Sequence, residues 1–283
     1  MRSLPAPNIP TREFFLTCIS GARLPTRVRL EKLADAVEAA TSKYERAAAR
    51  TALHELTELK GKPDDPVDRE ELKATYKSRM VPANAPGNHV YNQLKAVPRH
   101  GICPLCGQRL VETLDHQLPK THFPLLAVSP TNLVPACSSC NWIKSSTVPG
   151  SPEEQTLNPY FDDVTSHQWV FAKVNESETT PPSIRYYVKA PAEWDRVLAA
   201  RIELHFRTFG LADLYGAHAA QEISGMRFFL GNLDSRAMAH YLGGMAESIA
   251  ANHETGGLNN WRRVMYQALA SSSWFVAAGY KRF

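Results

Sequence analysis

The sequence predicts an α+β protein, a mostly helical scaffold carrying one small cysteine-rich finger and one β-hairpin. Three observations lead there. Leu30, Leu33, Val37, Ala40, Tyr44, Ala48, Leu53, Leu56 and Leu59 recur at helical spacing with charges between them. Two short alternating runs, 169–174 and 184–188, flank the turn-rich segment NESETTPPS. Four of the five cysteines fall between residues 103 and 140 as two Cys-x-x-Cys pairs.

The elements can be justified in order. Residues 27–60 read as a long helix or a helical hairpin; Ser42 and Glu45 have capping-box spacing, so a break is expected near Thr41. The stripe serves as core or as a docking face for a partner, and core is the ordinary use of such a stripe. GKPDDP ends this region, and a second helix is expected over 68–80 with Asp68 as its cap. PANAPG, 82–87, reads as a linker. Beyond the finger and the hairpin, helical patterns cover about 193–209, 212–230, 235–252 and 260–271. This gives three regions: helical 1–99, the finger 100–150, and a hairpin-plus-helix region 151–283 that can pack as one unit with the first.

Cys103/Cys106 and Cys137/Cys140 have the spacing of two knuckles that share one tetrahedral zinc. A segment of about 40 residues has too little core to hold itself together, so the metal would act as its staple. Two disulfides or unrelated buried thiols are the alternatives. No signal peptide is visible, so an oxidising compartment is not expected and a cytoplasmic location is. Cys18 stands alone in FFLTCIS and reads as a small buried apolar residue.

Between the knuckles, 109–114 alternates like a strand, with Asp115 and His116 at its end; 132–136 reads as a second strand, where Pro135 argues for an edge or a bulge. Ser138 or Ser139 is expected to cap a short helix through Asn141, Trp142 and Lys144. Strand, loop, strand and helix, with the DH pair, the NL pair, the CNxxK helix start and both cysteine pairs in register, resemble the HNH or ββα-metal endonuclease finger in its four-cysteine, zinc-bound form. The resemblance covers about residues 100–150. His116 matches the first His of the motif, Asn132 the central Asn, and Asn141 the last position.

The resemblance implies a metal-dependent endonuclease acting on DNA, leaving a 5′-phosphate and a 3′-hydroxyl. It assigns His116 as general base, a role that suits an imidazole with an ordinary pKa of about 6.5. It assigns Asp115 and Asn141 as ligands of a catalytic magnesium or manganese, for which oxygen donors are apt. Asn132 would orient His116 through its backbone or side chain and so fix the ring's tautomer. Lys144, three residues beyond Asn141 on the same helix face, could meet a phosphate. His122 is expected near the site or at the surface, and Trp142 is expected to pack under the helix. Each residue also has an ordinary structural use: a strand-end His, turn Asp and Asn residues, a solvated Lys.

The chain has a net charge of +4 and a pI near 8.8, mildly basic and compatible with nucleic acid. Arg262, Arg263, Lys281 and Arg282 make the C-terminal stretch basic without an acidic residue, either a phosphate-tracking surface or an ordinary solvated tail. No apolar run is long enough for a membrane span. No Walker loop or G-x-S-x-G elbow occurs, and the deaminase pattern lacks its glutamate. Stand-alone HNH proteins resemble components of bacterial anti-phage defence or restriction loci, often beside an ATPase, so DNA and such a protein are the expected partners. A zinc-stapled adaptor that holds nucleic acid without cutting it is the alternative.

Overall fold

A computed structural model describes residues 1–252 and 257–282. The chain is α+β and divides into two compact units, Met1–Asp163 and Val164–Phe283.

The first unit contains α1 (Thr11–Ile19), α2 (Leu24–Glu31), α3 (Ala34–Ala48), α4 (Pro66–Arg79), α5 (Asn88–Ala96), β1 (Thr113–His116), β2 (Leu133–Ala136) and α6 (Ser138–Lys144). The apolar stripe of 27–60 is present, but the chain breaks at Lys32–Leu33 and again after Ala48. It then continues as a 3-10 segment, Leu53–Leu59. Thr41 lies inside α3, where its hydroxyl donates to the Val37 carbonyl, so the expected break there is corrected. A threonine that bonds back one turn needs no cap. The next helix begins two residues earlier than expected, with Pro66 at its first position and Asp65 as the cap in place of Asp68.

α1 and α5 were not legible as helices. Residues 82–87 are a packed turn rather than a free linker. A Cβ on Gly87 would stand 2.5 Å from Cys18 Sγ, so the turn requires glycine, and the lone buried cysteine fills the space beside it.

The finger has no core of its own. Leu114, Leu118, Phe123, Leu126 and Leu133 belong to the same buried cluster as Phe15, Leu30, Val37 and Tyr44 from the helices. The chain following the finger binds back to them. Gln155 Oε1 accepts from Leu53 N at 3.1 Å, Asn158 Nδ2 donates to Tyr44 Oη at 3.0 Å, and Tyr160 Oη donates to the Leu133 carbonyl at 3.0 Å. These buried hydrogen bonds explain why the first unit extends to residue 163 and not 150.

In the second unit, β3 (Val170–Asn175) and β4 (Ser183–Val188) pair antiparallel, with Val174 opposite Ile184. α7 (Arg196–Thr208), α8 (Leu211–Leu230), α9 (Ser235–Ala251), α10 (Trp261–Ser271) and α11 (Ser273–Ala277) follow. The hairpin packs on α8 and α10. Trp169, fully buried, donates its indole N–H to the Val164 carbonyl, and Asn259 Oδ1 accepts the Trp169 and Val170 amides. Arg262 pairs with Glu222, and Arg263 donates to Gln168 Oε1 and the Leu258 carbonyl. Two of the four basic residues of the C-terminal stretch therefore hold the fold. The Arg282 side chain and Phe283 lie outside the described residues. Among the described residues no helix is long and apolar enough to cross a membrane.

Phe15 tests the shared core. It is fully buried on α1, which packs against α3 and α4. Phe15→Ala is expected to cost about 3–5 kcal/mol of unfolding free energy, the range for truncating a buried phenylalanine. Chemical denaturation monitored through the finger should show the whole loss. A change under about 1 kcal/mol at that probe would mean the finger folds without the helices.

Candidate metal centre and neighbouring polar site

Two knuckles of different construction bring the four cysteines together. The first is a tight turn: Cys103 N donates to the Arg109 carbonyl, Gly107 N donates to the Cys103 carbonyl, and Gly107 has φ +65°. That left-handed conformation suits glycine. Cys106 Sγ accepts from Arg109 N at 3.5 Å. The second knuckle is the start of α6, where Cys137 is the cap and its Sγ accepts from Cys140 N at 3.4 Å. Cys137 thus takes the capping place expected of Ser138 or Ser139. Glu112 Oε2 also accepts from Ser138 N at 3.0 Å; hydrogen bonds from Ser138 hold its carboxyl below the usual range.

All four sulfur atoms lie within 4.8 Å of one another, all four residues are buried, and none is in a disulfide. A tetrahedral zinc with Zn–S bonds of about 2.3 Å needs sulfurs about 3.8 Å apart. The cluster therefore fits a structural zinc, and the N–H···S bonds are the usual support of metal-bound thiolates.

The strands between the knuckles are shorter than the sequence implied. Only Ile102 and Leu110 bridge near the first knuckle; the ladder proper pairs Thr113 with Ala136, Leu114 with Pro135, Asp115 with Val134, and His116 with Leu133. Pro135 lies in a two-stranded sheet, where its missing N–H faces away from the ladder.

Asn132 is fully buried and grips the loop after His116. Its Oδ1 accepts from Leu118 N at 2.7 Å, and its Nδ2 donates to the carbonyls of Leu118 at 3.0 Å and Leu126 at 3.2 Å. Its own carbonyl accepts from Gln117 N. Its side chain fixes the loop, and the imidazole is held by other groups. His116 Nε2 donates to the Ala127 carbonyl at 2.9 Å, which leaves the lone pair on Nδ1 in the neutral ring. The ring also meets the Tyr76 ring edge-on at 4.5 Å, while Tyr76 Oη donates to the Leu114 carbonyl at 3.0 Å. Sequence reasoning missed Tyr76, because an aromatic residue on a helix carries no local sign of what it faces.

Asp115 is 3% exposed and Lys144 5% exposed. Lys144 Nζ lies 3.0 Å from Asp115 Oδ2 and donates to the His116 carbonyl at 2.6 Å. Its ammonium is thus turned into the finger, whereas the sequence reading turned it toward a phosphate. Burial pushes the Asp115 carboxyl up, opposed by Lys144. Burial pushes the His116 imidazole down to about 3, helped by the positive charge of Lys120. The ring is consequently neutral at physiological pH, the form a base requires, but it is a weaker base than the ordinary imidazole expected from the sequence.

Asn141 is half-buried on α6, which packs against β1. His122 is half-buried and uses its carbonyl to accept from Gly61 N. Trp142 is 84% exposed, so its expected packing under the helix is corrected; Ile143 beside it is also exposed. On a seven-residue helix, one face holds Cys140 and Lys144, which leaves the adjoining positions in solvent.

Residues 72–152 contain eight Lys and Arg residues against Glu112 and Asp115, but Lys73 and Arg79 pair with Glu70 and Glu71 just before this stretch and Glu153 and Glu154 follow it.

The cysteine cluster generates a direct prediction. Freshly purified, reduced protein should carry one zinc per chain by elemental analysis, and Cys103→Ser or Cys140→Ser should lose it together with cooperative unfolding. Less than half an equivalent in folded protein would count against the staple.

No family model matches the chain, and no solved structure matches it. One curated relative is Protein ea31 of Escherichia phage lambda, 33% identical over 221 residues, covering 72% of this chain and 73% of the relative. That extent of identity is far larger than the 50-residue finger, and the chain belongs to the family of the phage lambda protein ea31.

Proposed function

We propose that this protein is a metal-dependent HNH-type endonuclease that hydrolyses phosphodiester bonds in DNA. The observation that carries the reading is the His116 imidazole. It is neutral, held at Nε2 by the Ala127 carbonyl and at its ring by Tyr76, with the Nδ1 lone pair left as proton acceptor. Such a ring, fixed in one tautomer before substrate arrives, suits removal of a proton from an attacking water.

Asp115 and Asn141 would hold a magnesium or manganese ion, which when bound supplies a Lewis acid for the phosphate and its leaving oxygen. Oxygen donors suit these hard cations. Asp115 Oδ2 is buried and has no aligned hydrogen bond, although the Lys144 ammonium stands beside it. The four cysteines would keep a separate, permanent zinc. The mildly basic chain, with its net charge of +4, is compatible with a polyanionic substrate. A phage-encoded relative is compatible with a part in conflict between phage and host, where an ATPase or another defence protein would be the partner.

A second reading, a zinc-stapled module that binds nucleic acid without cutting it, has one observation in its favour. Asp115 is already neutralised by Lys144, which competes with any cation at that carboxylate.

Two substitutions decide between the readings. His116→Ala should lower plasmid cleavage by at least about a hundredfold, the scale of a general base, while zinc content and DNA binding stay unchanged. Equal cutting by the variant would remove His116 from the reaction; no cutting by the parent with magnesium or manganese would favour the binding module. Asn141→Ala should abolish most magnesium-dependent activity, and Asn141→His should keep part of it with a preference moved toward manganese, nickel or zinc. Activity measured across these metals checks this, and full magnesium-dependent activity in Asn141→Ala would show that the ligand comes from elsewhere.

A further inference from the structure

The buried position of Lys144 leaves the substrate phosphate without the cation that the finger's sequence offered it. Lys120 stands in a different situation. It follows Pro119 in the loop that Asn132 clamps through both the N–H and the carbonyl of Leu118, so its backbone is anchored close to its own position. Its ammonium lies 5.0 Å from the centroid of the Tyr76 ring, and the His116 ring stands 4.5 Å from that same ring. One aromatic side chain therefore carries the cation and the imidazole together.

A cation over an aromatic face is oriented without being neutralised. Lys120 is half-buried and makes no hydrogen bond or ion pair among the described residues. Its three N–H donors have no protein acceptor to satisfy them. Asp115 attracts it at longer range, and Asp115 is itself already compensated by Lys144. An anchored, unneutralised ammonium on the same aromatic ring as the imidazole is a site for an anionic oxygen.

We propose that Lys120 binds a non-bridging oxygen of the nucleic-acid phosphate presented to His116, with Tyr76 as the positioning residue that sets the separation of the two. The inference rests on the nuclease reading above. It assigns Lys120 contact with the substrate backbone, and so a contribution to affinity for any sequence.

The test uses the full-length, zinc-loaded protein. Binding of fluorescein-labelled DNA is followed by anisotropy at several salt concentrations in the His116→Ala background, without added magnesium. Cleavage with magnesium or manganese is followed with His116 intact. Lys120→Gln should weaken binding several-fold and reduce the slope of log affinity against log salt by about one, the signature of one lost phosphate contact. With His116 intact it should cut at least about tenfold more slowly. Lys120→Met, which keeps an apolar stem over Tyr76, should behave like Lys120→Gln. Lys120→Arg should restore the salt slope and most of the cleavage.

Parent protein that cuts beside a Lys120→Gln variant with unchanged slope and rate would overturn the Lys120 assignment and leave the nuclease reading standing. Lys120→Arg as impaired as Lys120→Gln would also overturn it, because packing and not charge would then be at stake. Parent protein that binds DNA but never cuts it removes the nuclease reading, and the salt slope then shows whether Lys120 touches phosphate. Parent protein that neither binds nor cuts removes both.

Discussion

Four buried sulfur atoms, every pair within 4.8 Å, set the geometry on which the rest of the finger depends. Thiols packed this closely cannot all ionise without a cation among them, and as thiols they would be poor partners for one another. A shared metal would resolve both problems and tie the turn at Cys103–Gly107 to the start of α6. With those two points fixed, β1 and β2 can pair over only four residues each and still hold Asp115 and His116 in place. A ladder that short would not persist alone.

The metal centre supplies a local constraint, and the helices supply the core. Leu118, Phe123 and Leu126, from the loop between the strands, are buried in the same cluster as α1 and α3. Asn132 completes the arrangement with polar contacts, pairing the Leu118 amide and carbonyl where water cannot. A fully buried peptide group left unpaired would cost about 1–3 kcal/mol for each polar atom. The Leu118 peptide is therefore pinned two residues from both His116 and Lys120.

The electrostatics of the site follow from that burial. Asp115 and Lys144 are both almost completely removed from water, and each would be expensive there without the other. Lys144 also donates to the His116 carbonyl, so one ammonium joins the helix to the strand end. His116 responds oppositely to an exposed histidine: burial and two nearby ammonium groups keep it neutral.

The sequence by itself determined the α+β class, the hairpin, most of the C-terminal helices and the four-cysteine centre. Each of these is written in short-range spacing: alternation at two residues, apolar recurrence near 3.6, Cys-x-x-Cys. It also singled out Asp115, His116, Asn132 and Asn141 as a group. Only the tertiary structure decided what surrounds them. The turn of Lys144 into the finger, the exposure of Trp142, the clamp of Asn132 on Leu118 and the contact of Tyr76 with His116 join residues from 14 to 40 positions apart or depend on which helix face is covered. No local pattern encodes such contacts, because the same residue types at the same spacing are compatible with many packings. The breaks in α2–α3, the helices α1 and α5, and the extension of the first unit to residue 163 belong to the same category. They are settled by burial against distant segments, which overrides the weak local preferences that cap spacing and turn residues express.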